Sequence, residues 1–260
     1  MNTSILAGLT AIATTLTVAG SASAFTIESA DDSFKTLINN GVFEDYIHTE
    51  YQGLDADLVA SRQLNLNDLS LNYDHEVKVH FLSEGAWYRN QLGVSSTGTT
   101  QLSETVLFDD IVCVTDSCST FKGYRNSGGD PTDLPLTAGD FVSLNTVQAG
   151  TTLDFFLNSD GYDRSNPRQL HLDASQNPGA RQQVMAYHQS GYLVLAFEDV
   201  VIDWGGSDED FNDVVFALDI GEDNLNHIIR TEQVPEPTLL FGLLGVSGAF
   251  SLLGRKGKNA

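Results

Sequence analysis

The sequence predicts an all-β protein: an antiparallel β-sandwich, jelly-roll-like, with a short helical N-terminal segment and a C-terminal transmembrane helix. Three observations predict the sandwich. Apolar and polar residues alternate at a period of two in many short segments. Sequences typical of turns, such as Asp160-Gly161 and Ser190-Gly191, separate these segments. Asn, Asp, Ser, Thr and Gly are abundant while Lys, Met and Pro are scarce, which favours strands joined by turns over helices.

The first part of the exported chain, residues 25–52, is predicted to be helical. Apolar residues spaced three and four apart indicate one or two short helical turns, broken at Asn40-Gly41. From there to residue 222 we expect strands without an internal repeat. The predicted strands are 75–81, 105–108, 111–114, 153–157, 169–172, 184–187, 192–197 and 214–218. Residues 119–137 are predicted to form a long loop.

The charge of the chain excludes two classes of partner. Its 260 residues include 35 acidic and 13 basic side chains, which gives a formal net charge of −22. A nucleic-acid-binding protein needs a basic surface that displaces counterions from phosphate, and adsorption to anionic lipid needs a polybasic patch. We therefore expect neither. With 41% hydrophobic residues, the chain is long enough and apolar enough to bury a core.

The N-terminal 24 residues are typical of a secretory signal peptide. They contain no Asp, Glu, Lys or Arg, and an apolar run ends in the small residues Ala22-Ser23-Ala24. This A-x-A pattern predicts cleavage between Ala24 and Phe25. The alternative is a buried N-terminal helix. The absence of Lys and Arg before the apolar run departs from the usual signal-peptide pattern.

The C-terminal region contains a second apolar segment. Residues 239–254 form a run of sixteen residues, which at about 1.5 Å per residue is at the short limit for crossing a bilayer. Arg255, Lys256 and Lys258 follow it. In a chain exported by its N-terminus, these basic residues would stay in the cytoplasm, as the positive-inside rule prefers. The segment is therefore predicted to be a marginal membrane anchor.

The order of motifs at this end resembles the PEP-CTERM sorting signal. Val234, Pro235, Glu236 and Pro237 precede the apolar segment, and the basic cluster ends the chain. The resemblance implies processing by an exosortase in a Gram-negative bacterium that makes extracellular polysaccharide, after transient anchoring in the inner membrane. We expect a signal peptide at 1–24, an exported domain at 25–230 and a sorting signal at 231–260, with the mature protein at the cell surface or in the extracellular matrix.

The chain has two cysteines, Cys113 and Cys118. In an exported protein, two cysteines separated by four residues predict a local disulfide across a hairpin. A metal site would need more ligands, and a redox pair would need the C-x-x-C spacing. A pair of free thiols in a weakly oxidising periplasm is the remaining alternative.

Acidic residues are concentrated between two predicted strands, 192–197 and 214–218. Residues 198–213 contain seven carboxylates and no Lys or Arg; the seven are Glu198, Asp199, Asp203, Asp208, Glu209, Asp210 and Asp213. Crowded like charges repel unless protons, water or a cation compensates them. Asp208, Asp210 and Asn212 alternate like the first three ligands of a calcium loop, and Gly205-Gly206 supplies flexibility.

The loop is not an EF-hand, because Asp213 stands where that loop requires glycine and no helices are predicted around it. We nevertheless predict a calcium site. Its expected ligands are Glu198, Asp199, Asp208, Asp210, Asn212 and Asp213. The alternatives are a solvated acidic loop and a set of catalytic carboxylates. A second acidic turn, 158–163, is a further source of ligands.

The sequences FED and GGSDEDFNDVVF resemble the core of a bacterial family known as domain of unknown function 4114. The upstream sequences TLDFFLNSDG and GYLVLAFED fit the same pattern, so the resemblance extends over about 140–220. The family occurs in exported surface proteins. The positions that match its acidic motif are Glu198, Asp199, Gly206, Asp208, Asp210, Asn212 and Asp213. The resemblance implies a site but no established reaction.

Two functions compete at this point. The first is a structural or adhesive role at the cell surface, linked to extracellular polysaccharide or biofilm, with calcium stabilising the acidic loop. The second is a secreted hydrolase of extracellular polysaccharide that uses Glu198 or Asp208 as acid or base. No nucleophile elbow, P-loop or HExxH motif is present. The aromatic candidates for stacking on a sugar ring are Trp204, Tyr162 and Tyr187. We expect binding rather than catalysis.

Overall fold

The computed structural model describes residues 25–47, 54–86, 88–111, 136–202 and 207–232. The predicted signal peptide, the cysteine pair and the sorting motif at 234–237 lie outside these ranges, as do Asp203, Trp204, Gly205 and Gly206. In the part of the chain that is described, no helix is long and apolar enough to cross a membrane. The predicted anchor at 239–254 lies outside that part.

The described residues are mostly β-structure. The strands are β1 Ile27–Glu28, β2 Gln63–Leu64, β3 Leu69–Leu71, β4 His75–Glu84, β5 Asn90–Gly98, β6 Thr105–Ile111, β7 Phe141–Val147, β8 Thr151–Ser159, β9 Arg168–His171, β10 Val184–Gln189, β11 Tyr192–Phe197 and β12 Val214–Asp219. The α-helices are α1 Asp32–Asn39, α2 Ala56–Arg62 and α3 Glu222–Glu232, and short 3₁₀ turns cover Glu44–Tyr46, Ala174–Gln176 and Pro178–Ala180.

The strands form two antiparallel sheets. The larger sheet has the order β1-β7-β4-β12-β11-β10-β2. The smaller has the order β3-β8-β5-β6, and β9 also pairs with β8. Residues of both sheets meet in one buried cluster, in which the ring centroids of Phe108 and Phe216 lie 5.1 Å apart. The prediction of a β-rich, antiparallel sandwich is confirmed.

The N-terminal helical segment covers the outer face of the larger sheet. Phe34 of α1, with Phe43 and Tyr46, packs against Leu82 and Val215 on that face. The Asp31 side chain caps α1 by accepting from the Phe34 N–H at 2.9 Å. This layer explains why β11 and β12 are apolar on both faces. Their alternate residues face the sandwich core and the helical cover.

The β10–β11 hairpin shows how local sequence sets the register. Gln189 pairs with Tyr192, so the loop has two residues, Ser190 and Gly191, with φ of 48° and 89°. Two positive φ values are what a type I′ turn requires, and its twist matches that of the strands. The turn therefore fixes which residues of β11 reach the core. β11 then runs to Phe197, where the acidic loop begins.

Candidate metal centre

The acidic loop begins and ends next to one residue pair of the larger sheet. Phe197 of β11 pairs with Val214 of β12, so residues 198–213 leave and re-enter the sheet side by side. The Gly85 N–H, just beyond β4, donates to the Asp213 carbonyl at 2.9 Å. The two ends of the loop are therefore anchored on three neighbouring strands.

Three of the predicted ligands converge. Glu198, Asp208 and Asp210 each place one carboxylate oxygen within 4.8 Å of the other two. Glu198 and Asp210 are only 1% and 3% exposed, and Asp208 is half-buried. Oxygens bound to one calcium ion at 2.3–2.6 Å can be at most about 5 Å apart. The spacing of these three side chains therefore fits a shared calcium ion.

The backbone of the loop is bent at alternate residues. Glu209 and Phe211 have φ of 60° and 55°, in the left-handed region that non-glycine residues rarely occupy. They alternate with Asp208, Asp210 and Asn212, the residues predicted as ligands. Such conformations cost about 1–3 kcal/mol each and are typical of functional sites.

The environment of Glu198 opposes its charge. Burial raises its pKa to about 7, and the charges of Asp208 and Asp210 act in the same direction. Two hydrogen bonds act in the opposite direction: the Ser207 hydroxyl donates to Oε1 at 2.8 Å, and the Phe211 N–H donates to Oε2 at 3.3 Å. Near neutral pH the carboxyl therefore holds a proton or needs a positive charge beside it.

Asp199 and Asp213 belong to an adjoining hydrogen-bond network. Asp213 Oδ2 accepts from the Asp199 N–H at 2.7 Å, and Asp199 Oδ2 accepts from Asn90 Nδ2 at 2.9 Å. Burial raises the pKa of Asp199 to about 6. The Asn90 side chain also accepts from the Asp160 N–H at 2.9 Å, which ties the second acidic turn to the same network.

Asn212 lies beside the cluster. Its Nδ2 donates to Asp210 Oδ2 at 2.8 Å, and Asn212 is 1% exposed. This bond orients the Asp210 carboxylate. Asn212 is therefore placed as a support of the cluster, and its amide oxygen is of the type that binds calcium.

Gln183 supports the first half of the loop. This fully buried residue precedes β10, and its Nε2 donates to the carbonyls of Glu198 and Val200 at 3.3 and 3.0 Å. Its Oε1 accepts from the Ile202 N–H at 3.0 Å. Sequence analysis did not identify Gln183, Asn90 or Ser207. Single polar residues in strands and loops carry no distinguishing pattern.

The aromatic residues considered for sugar stacking have different surroundings. Tyr187 is 1% exposed and packs with Tyr46 under the helical cover. Tyr162 is 40% exposed, and the Arg89 guanidinium lies 3.7 Å from its ring centroid. Tyr187 is therefore a core residue, whereas Tyr162 is a surface residue covered by an arginine.

Comparison with known proteins supports the resemblance noted above. Residues 147–221 match a family described as a domain of unknown function (DUF4114). The match contains β8 to β12 and the whole acidic loop, and it ends before α3. Searches of curated proteins and of solved structures gave no match.

Proposed function

We propose that this chain is an exported cell-surface or extracellular-matrix protein of a Gram-negative bacterium. In this proposal its acidic loop binds calcium and supports a structural or adhesive role linked to extracellular polysaccharide or biofilm. The observation that carries the proposal is the convergence of Glu198, Asp208 and Asp210 within 4.8 Å, two of them almost fully buried. Like charges at this distance and depth need compensation, and a divalent cation supplies it.

Calcium suits this loop better than magnesium. Every donor in the cluster is a carboxylate oxygen, which suits both ions. Magnesium requires bond lengths of about 2.0–2.1 Å, near-octahedral geometry and several retained waters. A mostly buried cluster on an irregular loop suits the longer bonds and flexible coordination of calcium.

The proposed location depends on the two termini. The signal-like residues 1–24 and the motif at 234–237 support export, cleavage before Phe25 and processing by an exosortase. Intact-mass analysis of the native surface protein tests this part. A surface form that retains residues 239–254 would contradict processing, and a cytoplasmic protein would contradict export.

Thermal unfolding tests the calcium proposal. A ligand that binds only the folded state at a hundred times its Kd stabilises it by about 2.7 kcal/mol. We therefore expect the melting temperature of the purified protein to rise by several degrees in millimolar calcium relative to EDTA. Magnesium should have a smaller effect.

Matched variants show whether the acidic loop is responsible. Asp210→Asn should remove most of the calcium-dependent rise, and in EDTA it should equal or exceed the wild type because it relieves repulsion. Asp223→Asn, in the exposed first turn of α3 beyond the far end of β12, makes the same charge change away from the loop. It should retain the rise. Equal melting temperatures for the wild type with and without calcium would contradict the proposal.

One observation favours a hydrolase as the second candidate. The pKa of Glu198, raised to about 7 by burial, is typical of a general acid. Against this, Glu198 is 1% exposed and both of its oxygens already accept hydrogen bonds. Polysaccharide release by the wild type that Glu198→Gln abolishes in saturating calcium would favour the enzyme. Absence of release would favour the binding role.

A further inference from the structure

A small pocket lies against the acidic loop. Its volume is about 150 Å³. Asp199 and Val200 line it on the side of the loop, and Tyr88, Arg164, Asn166 and Arg168 line it elsewhere. Ligand sites for drug-sized molecules measure roughly 300–1,000 Å³. This pocket therefore suits one small unit, such as a single sugar ring.

The lining of this pocket contrasts with the charge of the chain. Only 13 of the 260 residues are Lys or Arg. Arg164 and Arg168 nevertheless line the same small pocket. Ser159 of β8 pairs with Arg168 of β9, and Arg164 lies in the connection between these strands. One hairpin therefore brings two arginines to the pocket, on a protein that is otherwise strongly acidic.

Arg164 is held in place while remaining accessible. Its Nε donates to Asp160 Oδ2 at 2.6 Å, and its guanidinium carbon lies 5.7 Å from the Tyr88 ring centroid. The Arg164 side chain is 59% exposed, whereas that of Asp160 is 11% exposed. A guanidinium has five N–H donors, so an anchored Nε leaves the outer donors for a ligand. Such an oriented fork binds a carboxylate through two parallel hydrogen bonds.

Asp199 is the acidic member of the lining, and it is buried and hydrogen-bonded. The residue is 3% exposed, and its Oδ2 accepts from Asn90. Asn166 adds an amide that can bind sugar hydroxyls, and Tyr88 adds an aromatic ring. The pocket thus combines two arginines, an amide and an aromatic ring. This combination suits an acidic sugar.

We propose that this pocket binds a carboxylate-bearing sugar, a uronate unit of an acidic polysaccharide. The inference rests on the proposed function for the link to polysaccharide, and it assigns the ligand chemistry of that role. The uronate carboxylate pairs with Arg164 and Arg168. The sugar ring lies near Tyr88, and its hydroxyls face Asn166 and the loop.

The pocket is joined to the candidate metal centre by hydrogen bonds. Arg164 binds Asp160, the Asp160 N–H donates to Asn90, and Asn90 donates to Asp199. The Asp199 N–H donates in turn to Asp213, the last residue of the acidic loop. The same loop thus supports one wall of the pocket and the three converging carboxylates.

Titration of the whole protein with small sugars tests the proposal. The probes are glucuronate and trigalacturonate, with glucose, maltotriose and acetate as controls, in saturating calcium. We expect the uronates to bind, the neutral sugars to bind at least tenfold more weakly, and acetate not to match glucuronate. Equal affinity for charged and neutral sugars would overturn the proposal. If acetate matched glucuronate, the pocket would be a carboxylate site and not a sugar site, which also overturns it.

Variants of the arginines locate the binding. Arg168→Gln should weaken uronate binding roughly ten- to hundredfold, and Arg168→Lys, which keeps the charge but loses the fork, should lie between it and the wild type. Arg230→Gln, on α3, is the matched control and should bind normally. Unchanged affinity in Arg168→Gln would overturn the proposal. If Arg168→Gln fails to fold, the uronate affinities of Asn166→Ala and Arg168→Lys test the proposal instead. Unchanged affinity in both variants would overturn it.

Thermal unfolding with and without calcium distinguishes failure of the pocket proposal from failure of the calcium proposal. If calcium raises the melting temperature but no uronate binds, the pocket proposal fails and the metal centre stands. If uronate binds in resin-treated, calcium-free buffer and calcium has no effect on melting, the metal proposal fails and the pocket stands. Arg168→Gln should retain the calcium-dependent rise.

Discussion

Two groups of shielded carboxylates in this protein differ in how their charge is compensated. Asp110 and Asp160 lie against arginines: Arg89 binds the first and Arg164 the second. Glu198 lies instead against Asp208 and other carboxylates, in a stretch of sequence that contains no Lys or Arg from 198 to 213. Asn90 connects the two groups, because it contacts both Asp160 and Asp199.

This difference predicts which part of the molecule responds to cations and protons in solution. A carboxylate paired with arginine always has a positive charge beside it, because arginine stays protonated. Carboxylates that crowd together repel one another, and protons or cations taken from solution relieve that repulsion. We therefore expect the acidic loop to respond to calcium and to pH near neutrality, and the arginine-paired group not to respond to calcium.

Removal of an arginine should cause the largest loss. The side chains of Arg89 and Asp110 are only 13% and 16% exposed, and Arg89 also covers Tyr162. Breaking such a pair leaves a carboxylate without its partner and costs about 3–5 kcal/mol. Arg89→Ala should therefore lower the melting temperature by about 10 °C or more. The loss should be the same in EDTA and in calcium.

Recovery of the melting temperature of Arg89→Ala in calcium would contradict this division between the two groups of carboxylates. That result would mean that the metal also compensates Asp110. Arg230→Ala, on α3, is the control for loss of an arginine as such, and its melting temperature should stay close to that of the wild type.

The second prediction concerns how the stability of the metal-free protein depends on pH through Glu198. Burial raises the pKa of Glu198 from 4.5 to about 7. Between these values the folded state keeps a proton that the unfolded chain releases, so stability falls as pH rises. Without metal, we expect a loss on the order of 2–3 kcal/mol between pH 5 and pH 7.5. Calcium should reduce it, because the ion takes the place of the proton.

Urea unfolding at pH 5 and at pH 7.5 measures this change in the free energy of unfolding. His80 acts in the opposite direction, since burial lowers its pKa to about 4 and stability should rise with pH through the range up to 6.5. The informative quantity is therefore the difference between the wild type and Glu198→Gln, which keeps His80. A metal-free slope unchanged in Glu198→Gln would show that the loop does not control the response.

A strand that is apolar on both faces was easily predicted from the sequence. β11 was predicted at 192–197 and lies at Tyr192–Phe197. β5 was not predicted, because its sequence NQLGVSSTG has few large apolar residues. Its Gly93 is needed for packing, since a Cβ there would lie 2.3 Å from the Phe156 ring. That requirement comes from β8, more than fifty residues away, and no local pattern reveals it.

Helix α3, Glu222–Glu232, was not predicted although its pattern was visible. In α3, Leu225 and Ile228 are spaced three apart and both are buried, and Glu222 and Asp223 occupy the first turn. The acidic loop was recognised for a different reason: many carboxylates without a cation are conspicuous in any sequence. Asn90 could not be recognised, because it meets Asp199 across 109 residues of chain.

The smallest predicted effect concerns the hydrogen bond from Ser207 to Glu198, which is 2.8 Å long. This bond favours the charged form of Glu198, so Ser207→Ala should raise the pKa of that carboxyl further. In metal-free protein above pH 7, where Glu198 must ionise, the loss should be about 1 kcal/mol. At pH 5, where Glu198 keeps its proton, the loss should be smaller.

Calcium should also reduce the loss in Ser207→Ala, because a bound ion stabilises the charged carboxylate whether or not the hydroxyl is present. Ser207→Thr keeps the hydroxyl and should resemble the wild type in all conditions. Urea midpoints of the three proteins, with and without calcium at pH 5 and pH 7.5, measure the pattern. A loss of the same size in all four conditions would mean that Ser207 stabilises the loop without sensing the charge of Glu198. The acidic loop would then behave like the arginine-paired group, and the contrast between the two would disappear.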